Sequence, residues 1–461
     1  MPLPGLKLPL VIGCRPRVRR VGDSDQGQRY HCFGICYLAI GRLDAAHGCC
    51  RLAMKRFFVT IACVAMMPGS AVPDSSAVSQ PERYCAPLTN AVSAQLSGSK
   101  AGFVRSYDPG ANESALPAVL TSTAFVYDNA LAVIALVACG DAGSAMMIGN
   151  ALSAAVRNDR TFTDGRIRNA YRAGPLDKMP PALPGGWDDK QKIWAEDPAL
   201  DGTATGNVAW AALALLTLHQ ATRQGLFLDD ARRLIDWTIS NVLSGQGFLG
   251  GFHGYDPQLV RLTWISTEHN VDVYAAAAWL SRLTGEQKYA DAATEARQFL
   301  GRAFASDHFL LGTKPDGSPA DGAMLALDVQ LWPWMAVPDA PLEWRAALNF
   351  AATHLAVDDG FDFNGDRDGV WVEGTAQASL AYRIAGDHVR SAQLLNSLQA
   401  DAAPSGFLNA TRSGRVSTGL SVDPTKPKAD FFYSRRPHLG ATAWAALAAL
   451  AWNPFTGKKV D

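Results

Sequence analysis

The 461-residue chain has almost no net charge: 42 Lys and Arg stand against 43 Asp and Glu, a formal balance of -1. It has no basic surplus with which to neutralise a phosphate backbone or an anionic lipid surface, so nucleic acid is not an expected partner. Beyond its N-terminal region it also lacks any apolar run of about 20 residues, so the mature part has no membrane span. Cysteine is scarce where a core would use it. Of eight cysteines, Cys14, Cys32, Cys36, Cys49, Cys50 and Cys63 precede residue 64, leaving Cys85 and Cys139 for everything after it. No pair has the CxxC spacing of a structural zinc site. What the chain does have is 48% hydrophobic and 18% charged residues. That is the composition of a globular protein with a large core.

The N-terminal region reads separately. Met54-Lys55-Arg56 is a basic start, Phe57 to Met67 an apolar run, and Gly69-Ser70-Ala71 a small-residue cleavage site. That order describes a secretory signal peptide over 54–71. Residues 1–53 then read as an over-extended, disordered start, and 72–80, rich in Ser, Pro and Ala, as a flexible leader. Two alternatives stand beside this: a metal-binding set of Cys32, Cys36, His47, Cys49 and Cys50, and lipidation of Cys63 after Thr60-Ile61-Ala62. An exported chain is periplasmic or secreted. Its two remaining cysteines either form one disulfide, tying the N-terminal segment to the first helical hairpin, or stay as separate thiols.

From 81 to 461 helical periodicity is continuous, which predicts a single all-α domain. Six segments are apolar nearly all round and rich in Ala, the pattern of buried helices. They open at Tyr127-Asp128-Asn129, Thr205-Gly206-Asn207, Ser266-Thr267-Glu268-His269-Asn270, Leu327-Asp328, Val372-Glu373 and His438-Leu439-Gly440. Between them lie five amphipathic segments with a charged face: 144–157, 228–242, 289–304, 342–355 and 389–400. Repeated hairpins of this kind stack or close into a ring, with buried helices inside and amphipathic ones outside. Connections from inner to outer helices are short. Those returning to the next inner helix (158–204, 245–267, 305–326, 356–372 and 404–437) are long and rich in Gly, Pro, Asp and Trp. Loops of such length are usually functional, and all of them gather with the inner-helix starts at one end of the ring.

The six starts YDNALAV, TGNVAW, STEHNVDVY, ALDVQLW, VWVEGTAQ and HLGATAW resemble those of the six-hairpin glycosidase-like superfamily, whose fold is an (α/α)6 toroid of inner and outer antiparallel helices. The resemblance covers nearly the whole mature chain and assigns no specific family. It implies chemistry at the N-terminal ends of the inner helices, in an aromatic-lined groove. The superfamily holds inverting glycoside hydrolases, phosphorylases and epimerases, and related toroids hold polysaccharide lyases.

Glycoside hydrolysis needs one carboxylic acid to protonate the leaving oxygen and one carboxylate to activate water or attack the sugar. The helix starts offer Asp128, Glu268, Asp272, Asp328 and Glu373, and the second long loop adds Glu196 and Asp201. A helix N-terminus favours the anion, so an acid placed there needs burial or a neighbouring carboxylate to keep its proton. Glu268, beside Trp264 and an apolar helix, is the expected acid; Glu373 and Asp128 are the expected bases. Each reads equally as a helix cap. Tyr127, Asn207, Trp264, His269, Asn270, Asp272, Asp328, Trp332, Trp371 and His438 are the expected contacts to an oligo- or polysaccharide, with sugar rings stacking on indoles. A lyase using His269, Tyr127 and Asn270, with Arg261, Arg435 and Arg436 for a uronate, is the alternative, followed by a non-catalytic glycan-binding protein. No cofactor is expected, with one exception. Asp362, Asn364, Asp366 and Asp368 alternate as in calcium-binding loops, although Arg367 stands where an EF-hand loop needs Gly.

Overall fold

The computed structural model describes residues 79–108, 116–320, 324–421 and 423–461. The expected over-extended start, the expected signal peptide, the alternative cysteine sites and all but the end of the expected leader lie outside them. The leader ends one residue early: the Ser79 hydroxyl accepts the Glu82 N–H at 3.3 Å and caps a helix that opens at Gln80.

Thirteen α-helices run through the described residues: α1 Gln80–Leu96, α2 Val126–Ala138, α3 Ala142–Arg157, the short α4 Pro198–Asp201, α5 Thr205–Thr222, α6 Gly225–Val242, α7 Thr267–Thr284, α8 Gln287–Ala303, α9 Leu327–Ala336, α10 Ala346–His354, α11 Val372–Ile384, α12 His388–Ser397 and α13 Leu439–Ala449. The apolar Ala-rich segments are the inner ring. Each touches the next in the order α2, α5, α7, α9, α11, α13, and α13 touches α2 again, so the ring closes. Small side chains let these helices approach closely; every residue from Leu439 to Ala448 of α13 is buried. The amphipathic helices sheathe them, α3 on α2, α6 on α5, α8 on α7, α10 on α9 and α12 on α11.

The sixth outer helix is α1, which packs on α13, so that the first helix of the toroid completes the hairpin of the last. Sequence periodicity locates only five outer helices, because the sixth is separated from its inner partner by almost the whole domain. Cys85 in α1 and Cys139 at the C-terminal end of α2 are joined by a disulfide, which pins α1 at the seam. Two outer helices are shorter than their periodicity predicts: Leu342–Arg345 is a 3-10 turn ahead of α10, and Leu398–Asp401 is another after α12.

The long loops carry short antiparallel strand pairs, such as 123–125 with 170–172 and 415–417 with 432–434. A repeated side-chain clamp ties these loops to the ring. The fourth residue of an inner helix reaches back to the backbone of the preceding loop. Asn129 exchanges two hydrogen bonds with Val104, Asn270 two with Phe248, and Gln330 two with Phe309, all at 2.8–3.1 Å. Thr375 and Thr442 accept the N–H of Phe361 and Leu408 in the same way. Buried backbone groups need partners, so each clamp sets where a long loop leaves the helix mouth. In α5 the fourth residue is Val208, and Asn169 from the loop does this work instead, accepting from the Ala204 N–H and the Asn207 amide.

Candidate active site at the mouth of the ring

A cavity of about 300 Å³ opens where the inner helices begin. Its depth is set by an aromatic plug. The sixth residues of α5, α9 and α13 are Trp210, Trp332 and Trp444, and their rings meet at 5.4–5.9 Å across the axis. Two of the indoles donate to residues of intervening helices: Trp332 Nε1 to Gln377 at 3.0 Å, and Trp444 Nε1 to the Tyr127 hydroxyl at 2.9 Å. The plug buries apolar surface in a channel that would otherwise hold water, and it gives the cavity an apolar floor.

Above it, the second residues of three consecutive inner helices α7, α9 and α11 are Glu268, Asp328 and Glu373. All three line the cavity. Like charges brought out of water disfavour ionisation. Burial, reinforced by Asp328 and Glu373, holds the Glu268 carboxyl well above the usual carboxylate range. Burial pushes Asp328 up to about 6 against backbone N–H groups that favour its anion, the Val329 N–H donating to Oδ1 at 2.7 Å. Burial also pushes Glu373 up to about 7, opposed by His438 and the Tyr127 phenol and aided by Asp128 and Asp328.

Glu373 is the most supported of the three. The Tyr127 hydroxyl donates to its Oε1 at 2.6 Å, and the Gln377 amide lies 3.3 Å from the same oxygen. Its Oε2 has no hydrogen-bond partner and stands 3.6 Å from His438 Nδ1. The Ala441 N–H donates to that Nδ1 at 3.2 Å. A ring nitrogen that accepts carries no proton, so the neutral form of His438 holds its proton on Nε2. That nitrogen faces Asp128 Oδ2 at 3.4 Å. Burial opposes charge on His438, but Asp128 and Glu373 outweigh it and raise its pKa. Tyr107 stacks on the imidazole at 4.7 Å. Gly440 makes this packing possible: a Cβ there would lie 2.6 Å from Asp128 Oδ1 and 2.9 Å from Glu373 Oε2. Asp128, Glu373 and His438 each offer one ligand atom within 4.8 Å of the others, a donor set that can also take a cation.

Most of the residues expected from sequence converge here: Asp128, Glu268, Glu373, Tyr127, Asn207, His269, Asp328, Trp332, Trp371 and His438 all line the cavity. Three do not. Asn270 is fully buried and its side chain is committed to Phe248 and Ser266. Asp272 is the sixth residue of α7, below the cavity, level with the tryptophan plug. Trp264 packs against His269 at 5.3 Å and against Gly250, behind the wall. Trp332 and Trp371 reach the cavity as buried parts of its lining, 1% and 2% exposed, and not as free platforms. His269 is kept neutral, burial lowering its pKa to about 4. Glu196 and Asp201 belong to a loop network, Arg160 holding Glu196 through two bonds of 2.7 and 2.8 Å. The cavity also contains residues absent from the expected set: Tyr107, Phe125, Phe431 and Tyr433. The aromatic run Phe431-Phe432-Tyr433 is the available signal for the last two.

No protein-family model matches the chain, and no curated protein matches it by sequence. Solved structures do match it by shape. An alpha-amylase from Clostridium perfringens superposes with a TM-score of 0.56 at 9% identity, covering 82% of this chain and 99% of that one. A protein described as a wild-type glycosidase gives 0.53 at 12% identity over 81% and 97%. A GH76 alpha-mannanase from Bacteroides thetaiotaomicron gives 0.52 at 11% identity over 80% and 95%. At such identities the likeness concerns the fold, and it extends over nearly the full length of these neighbours. The chain shares with them the fold of a closed (α/α)6 toroid.

Proposed function

We propose that this protein is a glycoside hydrolase that cleaves an oligo- or polysaccharide at the mouth of the helical ring. The observation that carries the reading is the set Glu268, Asp328 and Glu373, three carboxyl groups at one helical position facing one cavity. Burying three such groups together is costly, and pKa values displaced this far cluster where proton transfer is the task. Glu268, whose proton is held most firmly, is the general acid that protonates the leaving oxygen. Glu373, oriented by Tyr127 and flanked by His438 and Asp128, is the base that takes a proton from water. The two stand on α7 and α11 with α9 between them, near enough across the cavity for the Glu373 charge to raise the Glu268 pKa, and inversion is the stereochemistry we expect of the pair. Neighbours described as a glycosidase, an alpha-amylase and an alpha-mannanase support the same reaction class.

Among the described residues the cavity wall has aromatic rings and acids but no Lys or Arg. That supports a substrate without uronate charge and weighs against the lyase. Arg261 and Arg435 donate instead to the carbonyls of Asn241 and Arg412. Cys85 and Cys139 form a disulfide. It supports an oxidising compartment, and with it export to the periplasm or beyond.

The test is Glu268→Gln and Glu373→Gln assayed for reducing-sugar release across a panel of neutral glycans. Each variant should fold normally and lose about 100-fold or more of the wild-type rate. NMR of the first product anomer reads the stereochemistry. Full activity in both variants sinks the assignment.

A further inference from the structure

A second group of acids lies outside the ring mouth, on the turn that leads into α11. Asp362, Asp366 and Asp368 each place a carboxylate oxygen within 4.8 Å of the others. Asp362 is completely buried. Its Oδ1 accepts the Phe363 N–H at 2.6 Å, while Oδ2 is buried without a hydrogen-bond partner. A buried anionic oxygen without a donor is costly, and here two further carboxylates face it. The turn's own cation does not relieve this. Arg367 turns away, its Nε donating to the His354 carbonyl at 2.9 Å and its other nitrogen to Thr353, so that it caps the C-terminal end of α10. The surrounding charges are Arg415, which lies over the Phe432 ring at 3.7 Å, and Asp430, whose carboxylate accepts from Ser417, Thr418 and Gly419.

We propose that Asp362, Asp366 and Asp368 bind one calcium ion. The donors are all hard oxygens, they alternate along a tight turn, and one arrives buried and unpartnered; this is what calcium requires and what a softer metal does not prefer. The Asn364 side chain lies on the same turn, its carbonyl accepting the Asp366 N–H at 2.8 Å and its amide donating to the Ser417 carbonyl at 3.1 Å. Counted from Asp362 as the first position, Glu373 stands at the twelfth, where an EF-hand supplies its closing ligand. Here Glu373 is turned into the ring mouth on Tyr127, so the site closes without it.

The ion has a structural consequence. Asp368 Oδ2 accepts the Ser417 N–H at 3.0 Å, and Ser417 ends the strand that pairs with 432–434, where Tyr433 lines the cavity. Calcium would fasten the start of α11, which carries Glu373, to the loop that carries Tyr433. The ion takes no part in proton transfer.

The experiment is calcium titration of protein first stripped with a chelator, followed by calorimetry and by thermal melting, with magnesium as the comparison ion. One calcium should bind per chain and raise the melting temperature. Asp366→Asn combined with Asp368→Asn, both at exposed positions, should fold without calcium and weaken binding by at least about tenfold. Asp362→Asn is the second variant and should abolish binding. Absence of any calcium-dependent heat or melting shift in the wild type overturns the proposal. So does unchanged affinity in the double variant, which would place the ion elsewhere, for example at Asp128, Glu373 and His438. Because binding and melting are read rather than turnover, the result stands apart from the glycosidase reading.

Discussion

The Tyr127 hydroxyl, at the second position of α2, donates to Oε1 of Glu373, at the second position of α11, across 2.6 Å of the ring mouth. Tyr127 itself receives the Trp444 N–H, so a buried relay runs from the tryptophan plug to the proposed base. The phenol favours the ionised carboxylate and thereby lowers the pKa of Glu373 against the burial that raises it to about 7. Tyr127→Phe should therefore move the acidic limb of the rate profile to higher pH, since the base will ionise later. Loss of one hydrogen bond to a charged group corresponds to about 1.5–3 kcal/mol, or about 10- to 100-fold in rate at pH 6. A kcat profile against pH checks this. An unmoved limb would mean that another group is the base.

The ring was legible in the sequence because a buried helix announces itself. Segments apolar on every side, opening with polar residues and separated by long loops, admit few arrangements. The three acids were legible for the same reason, each lying one residue inside a predicted helix start. What a single helix start cannot reveal is rotation. Glu268 and Asn270 are two residues apart on α7, yet one faces the axis and the other turns back to Phe248. The polar helix start alone places both in the site, and only the closed ring separates them. Comparison of helix starts by position, with Asn129, Asn270, Gln330, Thr375 and Thr442 all fourth, would have exposed the structural set. Tyr107 comes from a segment without periodicity, and nothing local marks it as a cavity wall; for Tyr433 the local sign is the aromatic run Phe431-Phe432-Tyr433. Nothing local marks α1 as the closing helix, because its partner α13 lies at the other end of the domain.

The clamp has an energetic consequence that distinguishes it from binding. Asn270→Ala would strand the N–H and carbonyl of Phe248, which is wholly buried, and would remove a bond to the Ser266 carbonyl. Orphaning two buried backbone groups costs about 2–4 kcal/mol. Denaturant unfolding should show that loss, with the pH dependence of any remaining activity unchanged. Asn207 lines the cavity and makes one side-chain bond, to Asn169, so it should behave in the opposite way. Asn207→Ala should raise KM, and losing that single bond should cost no more than about 1.5 kcal/mol of stability. Chemical denaturation and steady-state kinetics on the two variants separate the roles.

Asp272 gives the clearest stability prediction. It is fully buried beside the plug, and neither of its oxygens completes a hydrogen bond. Burial raises its pKa well above the usual range, with Glu268 and Asp328 adding to the effect and the Trp210 indole N–H only partly opposing it. The native state thus keeps a proton that the unfolded chain gives up near the ordinary Asp value. Stability from this group is complete below that value and declines as pH rises towards the raised native pKa. Asparagine has the same shape, an oxygen for the Trp210 N–H and no proton to lose. Asp272→Asn should melt close to the wild type at pH 4 and about 2–4 °C above it at pH 8, the advantage growing steadily between. Paired melts across that range check the sign. An advantage that shrinks with pH would show that Asp272 is ionised and satisfied in the folded protein, and that the three carboxyl groups above it do not share a field with a fourth.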